Sequence, residues 1–492
     1  RFLRLWYEVE YNNIGFNMHN KEQAALSELK WFPYNKGGTF RKWFGNMEYV
    51  INWQYDGKEL WEYTAKLPQG SAVRLKSREY YFKKGITWSF ISSSKFGVRF
   101  MPNGFIFDVA GSSLFPKMNL EYLLGFLSTK VAFTLLQIIN PTINYQIKDI
   151  KSLPIFIEKD NNIQSIVKQN ILISKNEWDS FETSWDFSKH PILKFPASTI
   201  ESSFNQWFDF AEKQFYQLKE NEEELNRIFI EIYGLEEELT PDVAEEDVTV
   251  RKADLERDIK SFISYAVGCT LGRYSLDEEG LVYAGGEFDP SRYKTFPADE
   301  DNILPILPGA YFEDDIVTRL IDFVRVTYGS ETLEENLEFI ADAIGRRKNE
   351  TAREAIRRYF LNNFYKDHVR TYKKRPIYWL FTSGKEKAFN CLIYMHRYDK
   401  TTLSRIRTDY LHDVQTRYDT IRNDLLAIIK GDSTASEIRS AKKELKSVER
   451  KIEELKTYDE KLHHMADMQI EIDLDDGVKV NYEKFKGLVA KI

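Results

Sequence analysis

Apolar and polar positions alternate through much of the first 110 residues, and the alternation stops at turn-forming residues. MEYVINW precedes Asp56-Gly57, and FGVRF and FIFDV flank Pro102-Asn103-Gly104. A period of two predicts strands, and the last two runs predict a hairpin. Phe96, Val98 and Phe100 fall on one face of the first run, and Phe105, Phe107 and Val109 on one face of the second. Lys95, Gly97 and Arg99 fall opposite. The pattern predicts a core face backed by a polar, cationic one. Asn20 is placed to cap a helix KEQAALSELKW, and Asn119 to cap the apolar helix LEYLLGFLSTKVAFTLLQIIN, which ends near Asn140-Pro141. The following INYQIKDIKSLPIFI predicts a strand returning to the sheet.

Past residue 160 the pattern becomes helical. SFNQWFDFAEKQFYQLKENEEELNRIFIEIYGL is aromatic-dotted helix, and LEEELTPDVAEEDVTV, acidic and broken by Pro241, predicts a linker. From Arg251 to about Phe381 helix prevails, interrupted by the loop EGLVYAGGEFDPSRYKTFPADEDNILPILPG. From Leu403 two long runs turn at Gly431-Asp432-Ser433. The second sets Ile438, Ala441, Leu445, Val448, Ile452 and Leu455 at spacings of three and four, a coiled-coil-like seam that predicts a helical hairpin. The expected fold class is α+β. A mixed α/β domain covers 1–160, a helical spacer and acidic linker 161–250, a mainly helical domain 251–402, and the hairpin with a tail 403–492.

Length and composition fit this plan: 492 residues, 42% hydrophobic and 29% charged, are those of a folded chain of several domains. The longest apolar run is interrupted by Glu121, Lys130 and Gln137, so a core helix is expected there and no membrane span. Cys269 and Cys391 lie far apart without a CxxC, which points away from a disulfide framework or zinc site and towards a reducing cytoplasm. The chain starts at Arg1 in a patterned segment, as expected of a piece of something longer. Its net charge of −7 conceals a partition: 21 basic against 14 acidic residues over 1–160, 14 against 29 over 161–300, and 17 against 7 within 341–410. Two basic blocks on either side of an acidic one suggest a polyanionic partner.

No catalytic set emerges. Thr382-Ser383-Gly384-Lys385 resembles the end of a phosphate loop, but Trp379 stands where its first glycine is needed. Asn140-Pro141 is followed by Thr142 and Ile143, without the second proline and the aromatic of an amino-methyltransferase motif. His463 and His464 are helical neighbours that diverge, and His368 and His396 are lone histidines among aromatics. What remains is a binding signature. In the first block Lys36, Arg41, Lys42, Asn46, Arg74, Lys83, Lys84, Lys95 and Arg99 interleave with aromatics such as Trp88, and Ser92, Ser93 and Ser94 add hydroxyls. In the second, Arg357 and Arg358 precede Lys373, Lys374 and Arg375. Lys and Arg neutralise phosphates, Ser donates to them, and Arg or Asn in a fixed frame reads base edges.

WFPYNKGGTFRKWFGNMEYVINW, GITWSFISSSKFGVRFMPNGFIFDVAGSS and LLGFLSTKVAFTLLQIINPTINYQIKDIKSLPI, in this order, resemble the target-recognition region of type IIG-like adenine DNA methyltransferases. GRYSLDEEGLVYAGG and RTYKKRPIYWLFTSGKEKAFNCLIYMHRY look like the C-terminal part of the PglX family, the adenine-specific methyltransferases of BREX phage-defence systems. The resemblance implies sequence-specific recognition of double-stranded DNA by a prokaryotic, cytoplasmic protein. It implies that S-adenosylmethionine and catalysis belong to an N-terminal methyltransferase domain, a partner of this chain, which by itself is expected to be inactive. Other BREX proteins and acidic, DNA-mimicking phage proteins are further expected partners. The alternative is a scaffold that docks other defence components through its helical hairpin.

Overall fold

The computed structural model describes residues 1–71, 75–91, 95–158 and 161–492. It is an α+β fold, with much more helix than strand and three small sheets. The chain divides into two compact units. The first holds Arg1–Trp6, Tyr11–Pro196 and Ser203–Asp254, and the second holds Tyr7–Glu10, Ala197–Ser202 and Leu255–Ile492.

In the first unit β1 (Leu3–Leu5), β2 (Trp31–Asn35), β3 (Tyr49–Asn52) and β6 (Ile106–Phe107) form a sheet of order β1-β3-β2-β6. β4 (Gly85–Trp88), β5 (Val98–Met101) and β7 (Ser113–Leu114) form another of order β5-β4-β7. The expected hairpin at Pro102-Asn103-Gly104 is therefore absent. β5 pairs antiparallel with β4, while β6 leaves for the other sheet and pairs parallel with β2. Period two specifies which face a residue occupies, not which strand becomes its neighbour.

Helix α1 (Lys21–Leu26) begins where Asn20 accepts the Gln23 amide. α2 (Gln54–Ala65) contains a left-handed run at Tyr55, Asp56 and Gly57 near its start. The long apolar helix is really two, α3 (Leu120–Leu127) and α4 (Lys130–Ile139), bent by 70°. Thr129 breaks it by capping α4, its hydroxyl accepting the Ala132 amide. No single helix among the described residues is long and apolar enough to cross a membrane. The predicted returning strand is instead a short helix, α5 (Ile147–Lys151), started by the Asp149 carboxylate accepting the Gln146 amide at 3.1 Å. α6 (Asn161–Trp178), α7 (Pro191–Lys194) and α8 (Ile200–Tyr233) follow.

The acidic segment is no free linker. Val243, Val248 and Val250 are buried in the same apolar cluster as Trp43, Trp88, Phe126 and Phe229. Asn226 donates to the Pro241 carbonyl and Glu223 accepts the Val243 amide. Asp247 pairs with Lys95 and Glu245 with Lys252 of the same unit, so the charge partition read from the sequence is in part internal neutralisation.

The second unit contains α9 (Leu255–Thr270), α10 (Ile316–Tyr328), α11 (Leu333–Ala343), α12 (Ala352–Tyr359), α13 (Tyr365–Thr371) and α14 (Thr402–Arg405). Its buried sheet has the order β8 (Leu304–Pro305), β10 (Asn390–Tyr394), β9 (Tyr378–Thr382). The predicted hairpin is present as α15 (His412–Lys430) and α16 (Ala435–Asp467). Thr434 and Glu437 form a capping box, and Ala441, Val448 and Leu455 of the seam are buried. α17 (Gly477–Glu483) ends the helical set.

Candidate nucleic-acid interface

Most of the expected DNA-binding cations are engaged inside the units. Arg41 is buried and donates to Glu177 at 2.5 Å and to the carbonyls of Phe44 and Ser174. Lys42 is buried against Glu222, which also accepts from the Trp43 indole at 2.7 Å. Arg99 is 1% exposed. Burial, and secondarily Arg41, lowers its guanidinium to about 10. The expected cationic face of β5 thus points inward, and the reader role expected of Arg41 and Arg99 is corrected: neither is presented to a partner. Trp88 is core, its indole donating to the Tyr145 carbonyl. Asn46 is buried and donates to the Thr39 carbonyl. Lys95 is exposed but paired with Asp247. In the second unit Arg357 makes a fork with Asp315 at 2.7 and 2.8 Å, and Arg358 another with Glu350 at the same distances. Arg375 lies 3.6 Å from Glu8. Arg74 and Ser92, Ser93 and Ser94 lie outside the described residues.

Lys36, Lys83, Lys84, Lys373 and Lys374 stand at the surface. Lys36 sits 4.7 Å from the Tyr49 ring centroid and Lys83 5.4 Å from that of Tyr80. Lys83 and Lys84, with His19, Asn103 and Asn119, line an open groove of about 540 Å³. Lys373 and Lys374 occupy consecutive left-handed positions, φ 52° and 59°, in an exposed turn.

The structure brings four loops of the first unit together in a way the sequence did not announce. Gly38 donates its amide to the Ser89 hydroxyl at 3.0 Å, and that hydroxyl donates back to the Gly38 carbonyl at 2.8 Å. Gly37 has φ 77°, and a side chain there would meet the Ala110 carbonyl at 2.5 Å, so glycine is required for this approach. The Phe90 amide donates to Ala110, and the Tyr145 amide to Phe90. Ile91 bridges to Asn144. The loops at 36–39, 89–91, 108–111 and 140–146 therefore form one continuous rim. It offers Lys36, Thr39, Thr142 and Ile143, and also Ile91 and Val109. Sequence periodicity assigned Val109 to the core, yet it is 67% exposed. Alternation cannot flag such a residue once its strand has ended, as β6 does at Phe107.

One cluster has donors suited to a metal. Asp299, Asp301 and Asp314 bring carboxylate oxygens within 4.8 Å of one another. Tyr410 donates to Asp301 at 2.8 Å and to Asp314 at 2.5 Å. Burial, then Asp301, raises the Asp299 carboxyl to about 8. His368 and His396 are structural. The His368 Nε2 accepts the amides of Ile377 and Tyr378, and the His396 Nε2 lies 3.2 Å from the Val9 carbonyl.

No protein-family model matches the chain. It is 42% identical, over 98% of its length, to adenine-specific methyltransferase PglX of Lacticaseibacillus casei (strain Zhang). It is also 42% identical, over its whole length, to adenine-specific methyltransferase BrxX of Escherichia coli O9:H4 (strain HS). The chain spans 41% and 42% of these two relatives. The resemblance read from its motifs is thus borne out along the whole chain.

Proposed function

We propose that this chain is the DNA target-recognition and C-terminal part of a BREX-type adenine-specific methyltransferase, and that its partner is double-stranded DNA. The observation that carries the proposal is the 42% identity along essentially the entire chain to PglX and BrxX. Methyl transfer from S-adenosylmethionine is assigned to the part of those relatives that the chain does not span. An adenine stacked in a duplex is out of reach of a methyl donor and has to be flipped out. The role left for this chain is to hold and select the flanking duplex. The rim supports that role in the first unit, because its loops interlock and carry both a lysine and small polar groups. Lys83, Lys84 and Lys374 are surface cations suited to phosphates. An acidic, DNA-mimicking protein would engage the same lysines and so compete with the duplex. Cytoplasmic placement follows from the same reading.

The test is a fluorescence-anisotropy titration of the chain with duplexes that do and do not contain the methylation site, over a range of salt. A preference for the site and a linear fall of log K with log salt are expected. Replacing Lys36, Lys83 and Lys84 by Ala lowers affinity for all sequences alike and reduces the salt slope by about one unit per lost phosphate contact. Equal, salt-insensitive binding of all duplexes would refute the reading.

A further inference from the structure

Three β-branched residues on separate loops of the rim are solvent-exposed, Ile91 by 59%, Val109 by 67% and Ile143 by 55%. An exposed apolar side chain on a loose loop is ordinary. These loops are tightly braced. Around Ile143, Asn140 donates to the Asn144 carbonyl at 2.9 Å and to Asp149 at 2.7 Å, and accepts from Thr142 through both amide and hydroxyl. Around Val109, the Asp108 carboxylate accepts the Ala110 amide at 2.8 Å, and Ser112 donates to the Val109 carbonyl at 2.9 Å. Ile91 is fixed by its bridge to Asn144. The Ile143 and Val109 loops use their polar side chains to close their own backbone, the Ile91 loop is tied to its neighbours through Ser89 and the bridge to Asn144, and all three leave a branched alkyl group outward. That is the arrangement of a preorganised contact, whose ordering cost is met before a partner arrives.

We propose that Ile91, Val109 and Ile143 are specificity-determining residues that read thymine methyl groups in the major groove. The inference rests on the DNA-binding reading above and names which of the rim's residues do the selecting. A duplex fits these projections better than a protein partner does. The rim presents these alkyl groups together with the exposed Lys36, Thr39 and Thr142, a cation and hydroxyls suited to phosphate oxygens. The thymine methyl is the apolar group that base edges display in the groove. With Arg41 and Arg99 held inside, alkyl contacts take the place of the guanidinium readout that the sequence suggested.

The experiment uses the full chain. A randomised duplex pool selected on the protein gives the preferred sequence, and each thymine in it is then replaced by uracil, which removes only the methyl group. For one or more thymines the swap weakens binding roughly fourfold, as expected for one buried methyl. The Ile91→Ser, Val109→Ser, Ile143→Ser triple variant loses that response while keeping the melting temperature and the salt slope. Selection of a sequence that lacks thymine, or of one in which the uracil swaps change nothing, overturns this inference and leaves the DNA-binding reading standing. Failure to enrich any sequence overturns both.

Discussion

Arg99 shows what burial does to a cation. Its Nε and Nη2 have no hydrogen-bond partner among the described residues, and the side chain is fully enclosed. A buried charge lacking full compensation costs stability, and an apolar side chain of similar length removes that cost. Arg99→Met is expected to leave duplex affinity unchanged and to raise the urea midpoint; a loss of sequence preference would return Arg99 to the reader role. The histidines make a second residue-scale prediction. Burial holds His190, His368 and His396 at about 3, against about 6.5 when unfolded. The unfolded chain takes up these protons first, so their stabilising contribution is complete above about pH 6.5 and is lost as pH falls towards 3. Urea unfolding followed between pH 7 and 4 is expected to show uptake of up to three protons. Replacing all three by Gln or Asn would remove that slope.

At the scale of elements, the β9–β10 turn explains the motif that looked like a phosphate loop. The Glu454 carboxylate accepts from the Ser383 hydroxyl at 2.6 Å, from the Glu386 amide at 2.7 Å and from the Ala388 amide at 3.2 Å. The turn is an anion cradle, and α16 supplies the anion from Glu454, the residue just before its seam residue Leu455. Residue types in Thr382-Ser383-Gly384-Lys385 thus revealed the chemistry of the turn, but the carboxylate comes from a residue 71 positions away. Glu454→Ala strands three donors and is expected to destabilise the chain by about 2 kcal/mol, with Glu454→Gln milder. Hydrogen exchange is the check: protection of the Glu386 and Ala388 amides falls in the Ala variant, and unchanged protection would contradict the account. Helix starts at Asn20 and Asn119 were legible because a cap acts within four residues. The Thr129 break was not, since a hydroxyl in an apolar run also fits inside a continuous helix.

At the scale of the whole chain, the units are not consecutive blocks of sequence. Tyr7–Glu10 is built into the second unit. Tyr7 donates to the Tyr372 carbonyl at 3.0 Å, Glu8 accepts the Val478 amide at 2.9 Å, and the Val9 carbonyl lies against His396. A fragment of residues 255–492 lacks this strap. It is expected to unfold at lower urea than the second unit does within the full chain, and a peptide spanning residues 5–12 added in trans should raise its midpoint; equal midpoints would show the strap to be dispensable. The sequence by itself determined the α+β class, the helix caps, the hairpin seam and the likeness to adenine-specific methyltransferases. Those depend on local periodicity, on side chains within a few positions of the backbone they satisfy, and on residue order. Only the tertiary structure decided which cations are spent on internal carboxylates, which strands pair, and that Ile91, Val109 and Ile143 stand on one rim. Burial and charge pairing are fixed by residues distant in the chain: Arg41 meets Glu177 across 136 positions and Lys42 meets Glu222 across 180, separations at which a linear pattern holds no information.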